Sequence, residues 1–397
     1  MRTTSLLAAA ALAAGARAQN YLGFNSGSTK VDHSAKFQSD FETEFTTAKN
    51  LEGAPGTFNA VRLYTNIQAY SKTDPIEAFP AAIATNTSML LGIWTSGTSS
   101  IQEELTAINN AITKYGTKFT DLVIGISIGS EDLYRNSVTG VANKAGVGAN
   151  PDVIVNFIND YKKSVSGTPM ANVPIGHVDT WDVWPNATNK AVLDAIDWIG
   201  VDEYPYYESG KNNTIKNAGY LFDKAYEATV AASGGKPVWV TETGWPVSGP
   251  DWDLGVPSVA NAKYYWDEVG CRKLFNKVPT FWYNLRDSNP DNKQAFQITS
   301  NLSTTPSFDL SCPTTFETQD SVDGSSSQSA SATGSTSKTA TSSGATKPTA
   351  SGTAGSQTSS STNSATTSKS TNGAAPTQMA QAVYVGGALM AGALALL

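Results

Sequence analysis

Short runs rich in β-branched and aromatic residues recur between about residues 19 and 313 and predict strands. Their starts are about 37 residues apart on average, and stretches typical of helices fill the intervals. The eight predicted strands are Tyr21–Gly27, Ala60–Thr65, Met89–Thr95, Leu122–Glu131, Val173–Thr180, Trp198–Tyr207, Pro237–Pro246 and Thr280–Asp287. The predicted helices include Phe37–Lys49, Ile101–Lys114, Pro151–Ser164, Gly219–Ala232 and Val259–Cys271.

Strands and helices that alternate in this way predict an α/β fold, in which residues 19–313 form a single (β/α)8 or TIM barrel domain. The competing arrangement is an open, doubly wound sheet. That fold usually places a glycine-rich phosphate turn after its first strand, and the sequence after Tyr21–Gly27 has none. The barrel is therefore the favoured prediction.

The fourth and seventh predicted strands each contain a glutamate near their end. In the fourth strand three isoleucines alternate with small residues, and Glu131 shares the parity of the small ones. The isoleucines are therefore expected to face the helices and Glu131 the barrel mouth. Glu242 comes shortly before the turn that begins at Gly244. Because active sites of such barrels lie at the carboxyl ends of the strands, Glu131 and Glu242 are the catalytic candidates.

The composition narrows the chemistry open to these candidates. The 397 residues include 27 Lys and Arg against 34 Asp and Glu, a formal net charge of −7 without a basic run, which argues against a nucleic-acid partner. With two His and two Cys, and without HExxH, CxxC or P-loop motifs, no metal and no other cofactor is expected. Two carboxyl groups at one barrel mouth fit glycoside hydrolysis, in which one donates a proton and the other is nucleophile or base.

Aromatic residues near the predicted strand ends suggest a sugar ligand, because flat apolar rings stack on the C–H faces of pyranoses. Trp184 and Trp245, next to proline in loops, are expected to have a role in function, whereas Trp198 and Trp239, within strands, are expected in the core. The aromatic residues at or just beyond strand ends are Trp94, Trp181, Trp184, Trp245, Trp282, Tyr64, Tyr204, Tyr206 and Tyr283. Ion pairs at the rim are expected for most of the charged residues near these ends, which are Asp179, Asp202, Glu203, Arg286 and Asp287.

The segments outside the predicted barrel resemble targeting and linker sequences. Residues 1–18 combine Arg2, an apolar stretch and an A-x-A site, which is typical of a signal peptide; a membrane anchor is the alternative. Residues 314–372, rich in Ser and Thr, predict an O-glycosylated linker. Residues 373–397 end in a hydrophobic tail and predict a GPI propeptide with attachment at Asn372 or Gly373; a tail-anchor helix is the alternative.

These segments predict a secreted protein that lies at the outer face of the cell membrane, in a cell wall, or in both, and that meets the membrane only through its lipid. Cys271 and Cys312 form an even pair in an oxidising compartment, so a disulfide between the C-terminal segment and the preceding helix is expected. A monomer is the default expectation. N-glycosylation is expected at some of the four sequons, at Asn86, Asn186, Asn212 and Asn301.

Five segments have the order and spacing of a known family. They are Val61-Arg62-Leu63-Tyr64, Ile128-Gly129-Ser130-Glu131, Asp202-Glu203-Tyr204-Pro205, Trp239-Val240-Thr241-Glu242-Thr243-Gly244-Trp245-Pro246 and Phe281-Trp282-Tyr283. In these segments the chain resembles glycoside hydrolase family 17, particularly its fungal cell-wall endo-β-1,3-glucanases. The resemblance covers about Tyr21 to Cys312, and its most specific part surrounds Glu242.

The resemblance implies a retaining mechanism on β-1,3-glucan without a cofactor, with Glu131 as acid/base and Glu242 as nucleophile. Two alternatives remain open. One is a β-1,3-glucan transglycosylase, in which a sugar hydroxyl replaces water as the acceptor. The other is a catalytically silent wall adhesin that only binds glucan.

The family pattern also suggests residues that contact the substrate. Tyr204 is expected to hydrogen-bond the nucleophile, and Tyr64 to line the donor side of the site. Ser130 stands where many related barrels have Asn before the acid/base, so an Asn hydrogen bond to the sugar 2-hydroxyl is not carried over. The complete set of predicted substrate-binding residues is Tyr64, Ser130, Tyr204, Trp245 and Tyr283.

Overall fold

The computed structural model of the chain describes residues 20–289 and 291–316. The predicted signal peptide (1–18), most of the predicted linker (314–372), and the predicted propeptide (373–397) with attachment at Asn372 or Gly373 lie outside the described residues. The strands are β1 Leu22–Ser26, β2 Ala60–Leu63, β3 Ser88–Ile93, β4 Val123–Ser130, β5 Ile175–Thr180, β6 Trp198–Asp202, β7 Val238–Glu242 and β8 Thr280–Trp282.

The eight strands form a closed barrel in which each pairs in parallel with its neighbour in sequence. Closure comes from β1 and β8, where Leu22, Gly23 and Phe24 pair with Thr280, Phe281 and Trp282. The predicted (β/α)8 barrel is therefore confirmed, and the open doubly wound sheet is excluded. Every predicted strand is present, although β6, β7 and β8 end four or five residues earlier than predicted.

Helices follow the strands and pack against the outside of the barrel. Among the described residues no helix is long and apolar enough to cross a bilayer. The short helices α2 and α8, rich in alanine, were not among those predicted. The helices are α1 Gln38–Lys49, α2 Ala78–Thr85, α3 Gln102–Tyr115, α4 Thr117–Thr120, α5 Asp132–Arg135, α6 Val138–Ala142, α7 Pro151–Ser164, α8 Lys190–Ala195, α9 Ile215–Ala232 and α10 Val259–Tyr265, which continues as a π-helix over Trp266–Leu274.

A small apolar cluster fills the inside of the barrel near the amino-terminal ends of the strands. Trp198 and Trp239, predicted as core residues, stack there with ring centroids 4.4 Å apart. Gly176 leaves room for them, because a Cβ at this position would lie 2.3 Å from the Trp198 ring. The interior cluster comprises Ala60, Leu90, Val178, Trp198, Trp239 and Phe281. With this end filled, polar side chains gather at the carboxyl ends.

The isoleucines of β4 do not all follow the predicted alternation. Ile126 and Ile128 are fully buried in the layer between sheet and helices, as predicted. Ile124 instead packs against the interior cluster. The pairing between β3 and β4 shifts register beside it, from Met89–Val123 to Leu90–Gly125, and such a bulge redirects a side chain.

A second register shift aims Glu242 into the barrel. The two valines of β7 pack in the helix-facing core, and Trp239 between them points inward. Strict alternation would therefore turn Glu242 toward the helices. Val201 of β6 pairs with Val240 of β7, but the next residue, Asp202, pairs with Glu242. Thr241 is therefore an extra residue in β7 without a partner position in β6. This bulge brings the Glu242 carboxylate to the mouth, where Arg62 of β2 contacts it.

The predicted disulfide is confirmed. Cys271 and Cys312 are bonded with their Cα atoms 5.5 Å apart, and they are separated by 41 residues. The bond ties the end of the domain to the π-helix after α10. The Trp266 indole N–H also donates to the Leu310 carbonyl at 3.0 Å, so the same segment is joined to this helix twice.

Replacing Cys271 and Cys312 together with Ser is expected to lower the free energy of unfolding by about 2–4 kcal/mol, because the open chain regains the entropy that the bond removes. Urea denaturation followed by tryptophan fluorescence measures the change. Reduction of the native protein should give the same loss, which controls for an effect of the serines. Equal stability of both proteins would contradict a stabilising role.

Candidate active site

The end of β4 places Glu131 at the barrel mouth through a bulge. Gly129 has φ +92°, and Glu131 itself adopts the left-handed conformation with φ 58°. The Glu131 backbone N–H donates to the Val178 carbonyl at 2.9 Å, which keeps the residue against β5. A non-glycine residue in this conformation is strained and persists only where its surroundings fix it.

Two buried aspartates fix this turn. Asp132 accepts hydrogen bonds from the hydroxyls of Thr95 and Ser96 on the β3 loop, both at 2.7 Å. Asp179 at the end of β5 accepts from the backbone N–H of Leu133 at 2.9 Å, at the start of α5. The loops after β3 and β5 therefore determine where Glu131 points.

The Glu131 carboxyl group is 1% exposed and has two unlike oxygens. Oε2 accepts a hydrogen bond from Arg135 Nη2 at 2.9 Å. Oε1 is buried and has no hydrogen-bond partner among the described residues. Burial raises the pKa of Glu131 to about 8; the Arg135 guanidinium opposes this shift, and the negative charge of Glu242 adds to it. Glu131 is therefore a protonated acid at neutral pH.

The Glu242 carboxylate is fully buried and accepts hydrogen bonds on both oxygens. Oε1 accepts from Arg62 Nη1 and from the Tyr64 hydroxyl, each at 2.6 Å. Oε2 accepts from the Tyr204 hydroxyl at 2.7 Å. An ionised carboxylate can accept all three bonds, one of which comes from a cation. The predicted contact between Tyr204 and the candidate nucleophile is present.

Arg62 connects the two glutamate sites, and no role was predicted for it from the sequence. Its Nη2 donates to the Ser130 hydroxyl at 3.0 Å, and its Nη1 donates to Asn25 Oδ1 at 3.0 Å in addition to Glu242. Burial opposes its charge, but Asp202 and Glu242 outweigh burial and raise its pKa. The signal available in the sequence was a charged residue between Val61 and Leu63, within an otherwise apolar strand.

The expectation that Asp202 and Glu203 lie at the rim is wrong, although Asp202 does lie at ion-pair distance from Arg62. Both are buried. Asp202 Oδ1 accepts from the Thr241 hydroxyl at 2.6 Å and lies 4.0 Å from Arg62. Burial, followed by the charge of Glu242, raises the pKa of Asp202 well above its ordinary value. Burial likewise raises the pKa of Glu203 well above its ordinary value.

The predicted substrate-binding residues fall into two groups. Tyr64, Ser130 and Tyr204 bond to the Arg62 and Glu242 pair, and Tyr283 packs edge-on against Tyr204 with ring centroids 5.9 Å apart.

Trp245 differs, because its ring is 2% exposed and its indole N–H donates to the Val256 carbonyl at 3.0 Å. Its ring packs against Tyr206 and Tyr265, which gives it a packing role in this structure. Direct sugar contact by these residues stays a prediction.

The arrangement suits acid/base and nucleophilic chemistry at carboxyl groups. A protonated Glu131 and a Glu242 carboxylate held by Arg62 and two tyrosine hydroxyls lie at one barrel mouth, where they can supply a proton donor and a nucleophile. Within residues 20–289 and 291–316 there is no group of three or more His, Cys, Asp or Glu side chains placed to hold a metal ion.

Known proteins resemble this chain over the barrel. The profile of the BtgE/BtgC glycoside hydrolase domain matches residues 23–300. The chain is 54% identical over 314 residues to the probable glucan endo-1,3-beta-glucosidase eglC of Aspergillus oryzae, covering 79% of this chain and 67% of that protein. It is 30% identical over 257 residues to a glucan 1,3-beta-glucosidase of Saccharomyces cerevisiae, covering 63% and 75%.

Solved structures show the same fold. A glycoside hydrolase family 17 beta-1,3-glucanosyltransferase from Rhizomucor miehei matches with a TM-score of 0.57 and 23% identity, over 72% of this chain and 98% of that one. At this identity the likeness concerns the fold alone. Together, the profile match over most of the barrel and the identity to the Aspergillus protein show that the chain belongs to the BtgE/BtgC glycoside hydrolase family, and that its relatives include probable glucan endo-1,3-beta-glucosidases.

Proposed function

We propose that this protein hydrolyses internal β-1,3-glucosidic linkages of β-1,3-glucan with retention of anomeric configuration. The observation that carries the proposal is the contrast between two buried carboxyl groups at the barrel mouth. Glu131 is protonated and one of its oxygens has no hydrogen-bond partner in the part of the chain that the structure describes, whereas Glu242 accepts three hydrogen bonds. The Aspergillus relatives, named as probable glucan endo-1,3-beta-glucosidases, support the choice of substrate.

In the first half of the reaction, Glu242 attacks the anomeric carbon and Glu131 gives its proton to the departing glycosidic oxygen. The bond from the anomeric carbon to that oxygen breaks, and an ester to Glu242 forms. Arg62 orients the Glu242 carboxylate before attack. Tyr204, on the other oxygen, limits its rotation.

In the second half, Glu131 is ionised and removes a proton from the acceptor, which attacks the anomeric carbon and releases Glu242. Water as acceptor gives hydrolysis. A sugar hydroxyl as acceptor gives transglycosylation, and both outcomes use the same two residues. The products therefore distinguish the hydrolase from the transglycosylase.

Replacing Glu242 with Gln is expected to abolish product formation from a reduced linear β-1,3-gluco-oligosaccharide, because an amide is a poor nucleophile. Chromatography that resolves every product by length measures the result over time. Glu227→Gln, on the exposed surface of α9, serves as a matched control and should keep full activity.

The native protein should give products shorter than the substrate. Products longer than the substrate would favour the transglycosylase. No product from the native protein, with glucan binding intact, would favour the adhesin and reject the enzyme.

Tyr204→Phe is expected to lower kcat by about 10- to 100-fold, the range for losing one hydrogen bond to a charged group. The protein should still fold, because the phenyl ring can keep the edge contacts with Tyr283 and Phe296. Steady-state kinetics and thermal unfolding measure the two effects. Tyr220→Phe, on α9, is the control; unchanged kcat in Tyr204→Phe would contradict a role in orienting Glu242.

We infer further that the protein is secreted and attached to the outer face of a fungal-type cell membrane, or to its wall, through a GPI lipid. Support comes from the sequence features of residues 1–18 and 373–397. The Cys271–Cys312 disulfide fits an oxidising compartment. The Asn86, Asn186 and Asn301 sequons are exposed and Asn212 is half-buried, so glycans could be accommodated.

A phosphatidylinositol-specific phospholipase C should release the full-length protein from membranes of a fungal expression host. A chain that ends at Pro313 should appear in the medium without this treatment. Immunoblots of the membrane and soluble fractions measure both. Membrane protein that resists the lipase and leaves only with detergent would support a tail-anchor helix instead.

A further inference from the structure

We propose that Arg135 is a positioning residue that determines which oxygen of Glu131 carries the proton and supplies the positive charge against which Glu131 ionises in the second half of the reaction. This inference rests on the proposed retaining mechanism. It concerns a residue four positions after Glu131, on α5, for which no role was predicted.

Arg135 is buried and its position is fixed from several sides. Nη1 donates to the Ser130 carbonyl at 2.6 Å and to the Ser96 hydroxyl at 2.8 Å, while Nη2 donates to Glu131. The guanidinium also lies over the Trp94 ring, 5.2 Å from its centroid. Contacts to the β3 loop, to the end of β4 and to an aromatic face leave the group little freedom to leave Glu131.

A guanidinium has only hydrogen-bond donors, so the oxygen that faces it must act as an acceptor. Oε2 of Glu131 faces Arg135, and because the carbonyl oxygen of a carboxylic acid is its better acceptor, Oε2 takes the carbonyl role. The proton is left to Oε1, which is buried and has no partner among the described residues. A polar atom that is buried and unsatisfied in the resting protein is suited to meet a group of the substrate. Here that group is the glycosidic oxygen.

Arg135 is also the closest cation to Glu131. The other charged or titratable groups that act on Glu131 are Glu242 on β7, Asp179 on β5, Asp202 on β6, Arg62 on β2 and Tyr134 on α5. Asp132, next in sequence, completes the set. Where they are charged, the carboxylates of Glu242, Asp179 and Asp202 disfavour ionisation of Glu131. Arg62 is already bonded to Glu242, so Arg135 is the cation that directly contacts Glu131.

The two half-reactions need opposite forms of Glu131. When the ester forms, Glu242 loses its negative charge, and the pKa of Glu131 falls because the repulsion disappears. Arg135 stays in place and stabilises the carboxylate that must now take a proton from water. Loss of the Arg135 charge should therefore slow this step, and it should also raise the pKa of Glu131 in the free protein above about 8.

The test compares Arg135→Met, Arg135→Lys and Arg272→Met in the full-length protein. Arg272 pairs with Asp223 on the outside of the barrel and controls for loss of an arginine. The substrate is dinitrophenyl β-laminaribioside, whose leaving group needs little help from an acid, so turnover depends on the second half-reaction. Azide is added because it attacks the ester without a base: it bonds to the anomeric carbon, frees Glu242 and gives a β-glycosyl azide.

Arg135→Met should lower kcat on this substrate by about tenfold or more, with azide restoring it, because general base catalysis commonly contributes a hundredfold or more. On a reduced β-1,3-gluco-oligosaccharide, the pH above which kcat/KM falls should rise by about one unit, the size of a nearby charge effect. In Arg135→Lys, which keeps the charge, this pH limit should shift less than in Arg135→Met. In Arg272→Met it should not shift.

Two results would overturn the inference. One is an unchanged high-pH limit of kcat/KM in Arg135→Met, which would leave only a structural role. The other is an equal shift in Arg135→Lys, which would show that charge is not the cause. If the native protein does not turn over either substrate, the proposed function fails, and this outcome is separate from both.

Discussion

The buried contact between Arg62 and Glu242 is the constraint on which the rest of the site depends. Both side chains are almost fully buried, and burying a charged pair is costly unless further hydrogen bonds satisfy it. The Glu242 carboxylate also accepts hydrogen bonds from two tyrosine hydroxyls. The Arg62 guanidinium also donates hydrogen bonds to Asn25 and Ser130. Strands β1, β2, β4 and β7 therefore meet at this pair, and a barrel that failed to close would leave it unsatisfied.

The balance of charge around this pair explains why the two glutamates differ. Glu131, Asp202 and Glu242 influence one another at one mouth, and Arg62 makes its 2.6 Å contact with Glu242. One cation cannot compensate three buried carboxylates. Burial, together with this repulsion, therefore raises the pKa values of Asp202 and Glu131, although the Arg135 guanidinium moderates the effect on Glu131. The acid and the nucleophile are distinguished by their surroundings, since their side chains are identical.

Much of the fold could be predicted because hydrophobic periodicity reflects burial, and burial is what the barrel requires. This periodicity predicts where the strands start and that Glu131 and Glu242 lie at the carboxyl ends of their strands. The direction of Glu242 does not, because alternation alone turns it toward the helices and only the extra residue Thr241 reverses it. Ile124 deviates from the pattern for the same reason. A bulge depends on pairing with a neighbouring strand, which one sequence does not display.

The partners of the catalytic residues were harder to predict for a related reason. Position near a strand end does not distinguish a side chain that lines the mouth from one packed beneath it. Trp245 and Asp202 were both placed at the mouth, yet one is packed against other aromatic rings and the other lies buried beside Arg62. Arg135 stands four positions after Glu131 and contacts its carboxyl group, with α5 beginning directly after the left-handed turn at Glu131. That spacing brings two side chains together only where a helix starts at the strand end, and here the helix starts from a backbone conformation that non-glycine residues seldom adopt, so the contact could not be predicted from the spacing alone.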